Sequence, residues 1–159
     1  MKIGVYDIIN NPLPQLYKIK DIDVKIEDFK EEEKIVDILN KHLKMNKLNA
    51  EHIYALGLTY GLIPKGIIQV SVGKDCECDV NIKNLAIGLL LIGAEQYMCF
   101  HNHPGYNKKI SNSDIELTNI YKKVGDLIGI DLISHIMITG DYYKECKSVV
   151  TEKIFGMEV

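Results

Sequence analysis

A chain of 159 residues, 47% of them hydrophobic, fits one domain with a sizeable core and gives no indication of disorder. Its net charge of −3 and complete lack of arginine exclude a bulk positive field and bidentate phosphate clamping, leaving only local lysine patches for nucleic acid. The start, Met1-Lys2-Ile3-Gly4-Val5-Tyr6, lacks the apolar stretch and cleavage pattern of a secretory leader, and the longest apolar run, 85–92, is too short to span a bilayer, so a cytoplasmic protein without membrane contact is expected.

Residues 1–27 combine Asn10-Asn11-Pro12-Leu13-Pro14 with short apolar runs, which predicts an N-terminal extension made of a loop with one or two edge strands. Asp28-x-x-Glu31 supplies the acidic first turn of a helix, with Ile35, Val36, Leu39 and Leu43 following at helical spacing; His42 on it reads as a surface or boundary residue. The β-branched and aromatic segment 50–58 predicts a strand beginning at Glu51. Turn signals at Tyr60-Gly61 and Pro64-Lys65-Gly66 then lead to a second strand at 67–72. Asp79 is the expected N-cap of a helix over 80–92, apolar nearly all round and so expected to be sandwiched, with Gly93 ending it in the left-handed conformation.

The run 96–100 reads as a buried strand, and Leu117, Ile120, Tyr121, Val124, Leu127 and Ile128 as an amphipathic helical pattern capped by Ser111, with Leu117, Tyr121, Val124 and Ile128 facing the core. A strand over 131–139 and a hairpin strand over 142–146 complete the domain, set at 28–146, with a tail over 147–159. Strands alternating with helices predict an α/β (α+β) domain: a mixed β-sheet with helices on both sides.

The densest cluster of potential metal ligands is His101-Asn102-His103-Pro104-Gly105 together with Ser111-Asn112-Ser113-Asp114. Histidines two positions apart at a strand end share a face, since extended side chains alternate with period 2. Ser111-x-x-Asp114 reads as a capping box, with Ile110 and Ile115 as its staple. Yet Asp114 also heads the core-facing stripe, where a buried carboxylate needs a partner. A metal shared with His101 and His103 would serve, and two imidazoles plus one carboxylate with a fourth position open is a catalytic rather than a structural zinc set. An H-x-H pair alone is more often ordinary structural histidines; the ordered combination with Ser111 and Asp114 favours the metal.

The remaining candidates are weaker. Cys76, Cys78, Cys99 and Cys146 form no framework, and Cys99, on the strand face of His101 and His103, reads as a small buried hydrophobe. His135 sits mid-strand, where a satisfied core histidine, or one backing a ligand, is commoner than a ligand. Lys108-Lys109, Tyr106 and Tyr142-Tyr143 are available to an acidic or extended partner, though such loop residues are commonly just solvated.

His101-Asn102-His103-Pro104 followed by Ser111-x-x-Asp114 resembles the JAMM motif of the JAB/MPN metalloprotease superfamily. Asn102 between the histidines, Gly93-Ala94 before the strand, and Gly125-x-x-x-Gly129-Ile130 leading to His135-Ile136 are similar to its RadC branch, over roughly 33–145. The resemblance implies the JAB/MPN fold, related to that of the cytidine deaminases. It also implies Zn2+ held by His101, His103 and Asp114, with Glu51 as the residue acting on the attacking water and Ser111 steadying the oxyanion. A peptide or protein substrate follows, cleaved at a peptide or isopeptide bond. Loop 104–110 keeps the family length but lacks its further prolines. An alternative is a DNA-repair or recombination-associated protein or metallonuclease, against which stand the acidic charge and a first segment too short for the helix-hairpin-helix module of full-length RadC proteins. A non-catalytic interaction module is a further alternative, less favoured because every ligand position is filled.

Overall fold

Seven strands form one mixed sheet in a computed structural model that describes residues 1–73 and 80–147. In chain order they are β1 (Lys2–Asn10), β2 (Pro14–Asp23), β3 (His52–Leu58), β4 (Pro64–Val72), β5 (Gln96–Asn102), β6 (Asp131–Thr139) and β7 (Tyr142–Glu145). Across the sheet the order is β2-β1-β4-β3-β5-β6-β7. The pairs β1·β4 and β5·β6 are parallel and the others antiparallel. Three helices, α1 (Glu32–Leu43), α2 (Ile82–Leu91) and α3 (Asn112–Ile128), cover it.

Period-2 alternation sorts the core into two layers. On one face Tyr54, Leu56, Met98, Phe100, Ile136 and Ile138 meet Ile35, Val36 and Leu39 of α1. On the other, Ile53, Ala55, Tyr97 and Cys99 meet Leu85 and Leu89 of α2 and Tyr121 of α3. The expected α/β sheet with helices on both sides is therefore present, in the same chain order.

Several local expectations are corrected. Residues 1–27 are not mainly loop: β1 and β2 form a long antiparallel hairpin, and β1 joins the main sheet through β4. Lys18 and Lys20 of β2 pair through their backbones, which hydropathy does not register. Asp28 lies in a separate 3-10 turn, Ile26–Lys30, and the α-helix starts only at Glu32, because Glu31 is extended. The N-cap of α2 is Asn81, whose side chain accepts the Asn84 N–H; the expected cap Asp79, like Cys76 and Cys78, lies outside the described residues.

Helix α2 is not sandwiched: Leu85, Gly88 and Leu89 face the sheet, while Leu90 is 56% and Leu91 49% exposed. The buried line of α3 is Asp114, Thr118, Tyr121 and Gly125. Leu117 and Ile128 of the expected stripe flank it, while Ile120 and Leu127, outside that stripe, point outward, Leu127 at 86% exposure. With only one face of each helix against the sheet, apolar residues elsewhere on it stay exposed.

Gly93 and Gly129 do end α2 and α3 at φ 70° and 74°. Gly125 serves close packing instead: its carbonyl accepts the Ile130 N–H at 3.0 Å, and a Cβ there would collide with the Ile130 carbonyl oxygen and lie 3.2 Å from the Tyr97 ring. Gly125→Ala is therefore expected to destabilise the protein by about 1–3 kcal/mol, read as a lower urea midpoint at unchanged slope.

Candidate metal centre

Strand β5 turns Tyr97, Cys99 and His101 toward α2 and α3, leaving His101 fully buried at its end. His103 follows just beyond the strand. Its backbone is pinned to β6, its N–H donating to the Ile138 carbonyl and its own carbonyl accepting from Thr139 Oγ1, each at 2.9 Å. The two Nε2 atoms stand 3.1 Å apart. Asp114, in the first turn of α3, places Oδ1 3.3 Å from His101 Nε2 and Oδ2 3.3 Å from His103 Nε2.

The capping box and the ligand cluster turn out to be compatible. Ser111 Oγ accepts the Asp114 N–H at 3.1 Å, and Asp114 Oδ2 accepts the Ser111 N–H at 2.8 Å, so the helix start is capped on both counts. The same carboxylate reaches both imidazoles. Burial works against its charge, but hydrogen bonds from His101 and His103 outweigh that and hold Asp114 well below the usual carboxylate range.

A metal fits this donor set. Tetrahedral zinc with bonds of about 2.0–2.1 Å separates its ligand atoms by roughly 3.3 Å, close to the separation of the two imidazole nitrogens and to the approach of one Asp114 oxygen to each of them. The back of each imidazole is also engaged, His103 Nδ1 at 3.0 Å from the Asn107 carbonyl and His101 Nδ1 at 2.7 Å from His135 Nε2. Such bonds orient ligand rings in metal sites.

Among the described residues a second grouping brings donors of His101, His135 and Cys146 within 4.8 Å of one another. Its two imidazole nitrogens, 2.7 Å apart, are hydrogen-bonded and too close for one tetrahedral ion, whose ligands would need about 3.3 Å. His135 thus backs His101. Burial, with His101 adding, pushes its imidazole well below the ordinary value and keeps it neutral. Burial likewise raises the Cys146 thiol to about 12 and the Cys99 thiol well above its ordinary value, so Cys99 is the small buried hydrophobe expected.

Glu51 immediately precedes β3 rather than lying within it, and it shares a cleft of about 570 Å³ with His103, Ser111 and Asp114. Half-buried, its carboxyl is raised by desolvation, a shift that His101 and His103 partly offset and Asp114 reinforces. The segment around it is clamped by Asn102: Oδ1 accepts the His52 N–H at 2.7 Å and Nδ2 donates to the Ala50 carbonyl at 3.0 Å. Sequence reasoning assigned Asn102 no such role. It also missed Thr118, although a hydroxyl one helical turn after Asp114 was a signal available in the spacing. Of the loop residues, Lys109 lines the cleft, whereas Lys108 sits over the Tyr142 ring at 5.0 Å.

A model of the RadC-like JAB domain matches residues 29–151. The chain belongs to the RadC-like JAB domain family. Among curated relatives it is similar to a UPF0758 protein of Clostridium acetobutylicum, 31% identical over 104 residues that cover 65% of this chain and 45% of the relative. A UPF0758 protein of Fusobacterium nucleatum subsp. nucleatum is 35% identical over 110 residues, 67% of this chain and 47% of the relative. One of Clostridium botulinum is 33% identical over 114 residues, 67% and 45% respectively. The chain thus spans less than half the length of these relatives. The observed sheet and helices are consistent with the JAB/MPN fold of the family, and no helix among the described residues is long and apolar enough to cross a membrane.

The electrostatics of the metal-free RadC-like domain can be measured. The bond to Asp114 raises the His103 imidazole above its ordinary 6.5, so its stabilisation is full below that value and fades as pH rises through the raised one. Asp114, depressed from 3.8, contributes above that value and loses its contribution as pH falls. In urea unfolding of metal-free protein, the stability difference between wild type and His103→Gln should therefore be largest between these two ordinary values and shrink toward pH 9. A difference that stays constant with pH would mean that no such ion pair exists.

Proposed function

We propose that the chain is a zinc-dependent hydrolase of amide bonds, acting on a peptide or isopeptide link. The observation that carries this reading is the convergence, among the described residues, of three donors rather than four beside a cleft that also holds Glu51 and Ser111. Membership of the RadC-like JAB domain family supports it.

His101, His103 and Asp114 would hold the ion, which when bound supplies Lewis acidity, polarising a carbonyl and acidifying water. Glu51 takes a proton from the attacking water and delivers it to the departing nitrogen. A carboxylate with a raised pKa suits both halves of that transfer, since its proton is neither too weakly nor too tightly held. Ser111 Oγ accepts a bond from the Asp114 N–H, which leaves its hydroxyl hydrogen free to donate to the oxyanion of the tetrahedral intermediate. Asn102 holds the main chain on both sides of Glu51 and so orients the base.

Elemental analysis of purified protein should find close to one zinc per chain, lost in His103→Ala and in Asp114→Ala. Zinc content unchanged by both substitutions would sink the ligand assignment. Glu51→Gln should keep the zinc and abolish turnover on a panel of fluorogenic peptide and isopeptide amides; undiminished turnover would remove Glu51 from the mechanism. Ser111→Ala should lower turnover by about 100-fold with zinc retained, as expected for loss of one oxyanion donor.

A further inference from the structure

Behind His101 a line of short contacts runs into the protein. His101 Nδ1 lies 2.7 Å from His135 Nε2, His135 Nδ1 lies 2.7 Å from Thr118 Oγ1, and that oxygen lies 2.8 Å from the main-chain carbonyl of Asp114. His101 and His135 are fully buried and Thr118 nearly so.

The direction of the line can be read from its far end. A carbonyl only accepts, so the Thr118 hydroxyl donates to Asp114 and has spent its single hydrogen. Oγ1 must then accept from His135, which places a hydrogen on Nδ1 of that ring. Neither nitrogen of His135 meets a carboxylate and its ring lies edge-on to Tyr121, so a neutral imidazole with one hydrogen is the form that burial permits. Its Nε2 is therefore an acceptor, and the hydrogen between the two rings belongs to His101 Nδ1. Nε2 of His101, which faces Asp114 and His103, is then the nitrogen that gives up its hydrogen, so the neutral ring presents its lone pair there.

We propose that Thr118 and His135 are positioning residues that fix the tautomer of His101 and thereby prepare its Nε2 for a divalent cation such as zinc. The proposal rests on His101 being a metal ligand, as in the function proposed above. The two histidines are prepared differently. His103 donates directly to a backbone carbonyl, which is always an acceptor, whereas His101 donates to another imidazole that could itself donate or accept. Only the Thr118 hydroxyl, tied to Asp114, sets the direction. Valine has nearly the same shape but offers no acceptor. In Thr118→Val the His135 hydrogen has no partner at Nδ1 and moves to Nε2, which forces the His101 hydrogen onto the nitrogen that faces the ion.

Long-range 1H–15N correlation spectra of the metal-free wild type, which show the protonated nitrogen of each imidazole, should place hydrogens on Nδ1 of both His101 and His135. Competition against a chromogenic chelator should show Thr118→Val binding zinc about 10–100-fold more weakly, with Thr118→Ser within about threefold of wild type and retaining its tautomers. A wild-type His101 without a hydrogen on Nδ1 would overturn the proposal, as would a Thr118→Val protein that binds zinc as tightly as wild type or a Thr118→Ser protein as weak as Thr118→Val. Wild-type protein that takes up no zinc would overturn the hydrolase reading and the relay with it. Zinc uptake that is indifferent to Thr118 overturns the relay alone.

Discussion

The carboxylate of Asp114 must be shared between a helix that needs capping and two imidazoles that converge on it, and much of the architecture follows from letting one group serve both. A buried anion is costly unless its lone pairs are taken, and here one oxygen faces His101 while the other meets His103 and the Ser111 N–H. The positive end of the α3 dipole lies at the same place, so charge, cap and helix start reinforce one another. This fixes α3 against the end of β5 to within hydrogen-bond tolerance. The small residues along the buried line of that helix, Thr118 and Gly125, then allow it to lie close to β6 and to the Ile130 turn.

Much of this is legible in the sequence because the informative residues are tied to backbone geometry. The H-x-H spacing fixes a common face on an extended strand and Ser111-x-x-Asp114 fixes a helix start, so each half of the cluster can be read from spacing, while the ordered motif and the family resemblance it carries bring the halves together. The strand over 131–139 is equally plain, as an apolar run opened by Gly129 and closed by Gly140. Glu51 is different in kind. Nothing local to it indicates more than a solvated glutamate near a strand, and only the family resemblance draws attention to it.

What stays hidden depends on contacts between distant segments. Hydropathy cannot say which side of an apolar helix meets a sheet, hence the exposed Leu90 and Leu91. It is blind to a strand such as β2, joined to its neighbour by main-chain bonds while its lysines stay in water. The role of Asn102 is equally illegible: its side chain bonds across fifty residues to a segment whose position is set only once β3 and β5 are adjacent. Thr118 would pass for a helix residue of no special interest until His135 arrives from the neighbouring strand.

Strand β5 carries His101 on one side and, one residue on, Asn102, which grips the segment holding Glu51. A sliding or tilting of that strand therefore carries the imidazole and the carboxylate along together. Displacement of the sheet becomes a common motion of the whole constellation rather than a relative one, and the separation between base and imidazole is insulated from it. Errors of about 1 Å in relative placement can cost a reaction some 100-fold, whereas a shift shared by all the reacting groups is absorbed by the substrate following them. A single amide side chain thus acts as a mechanical coupling between two parts of the chain that are far apart in sequence.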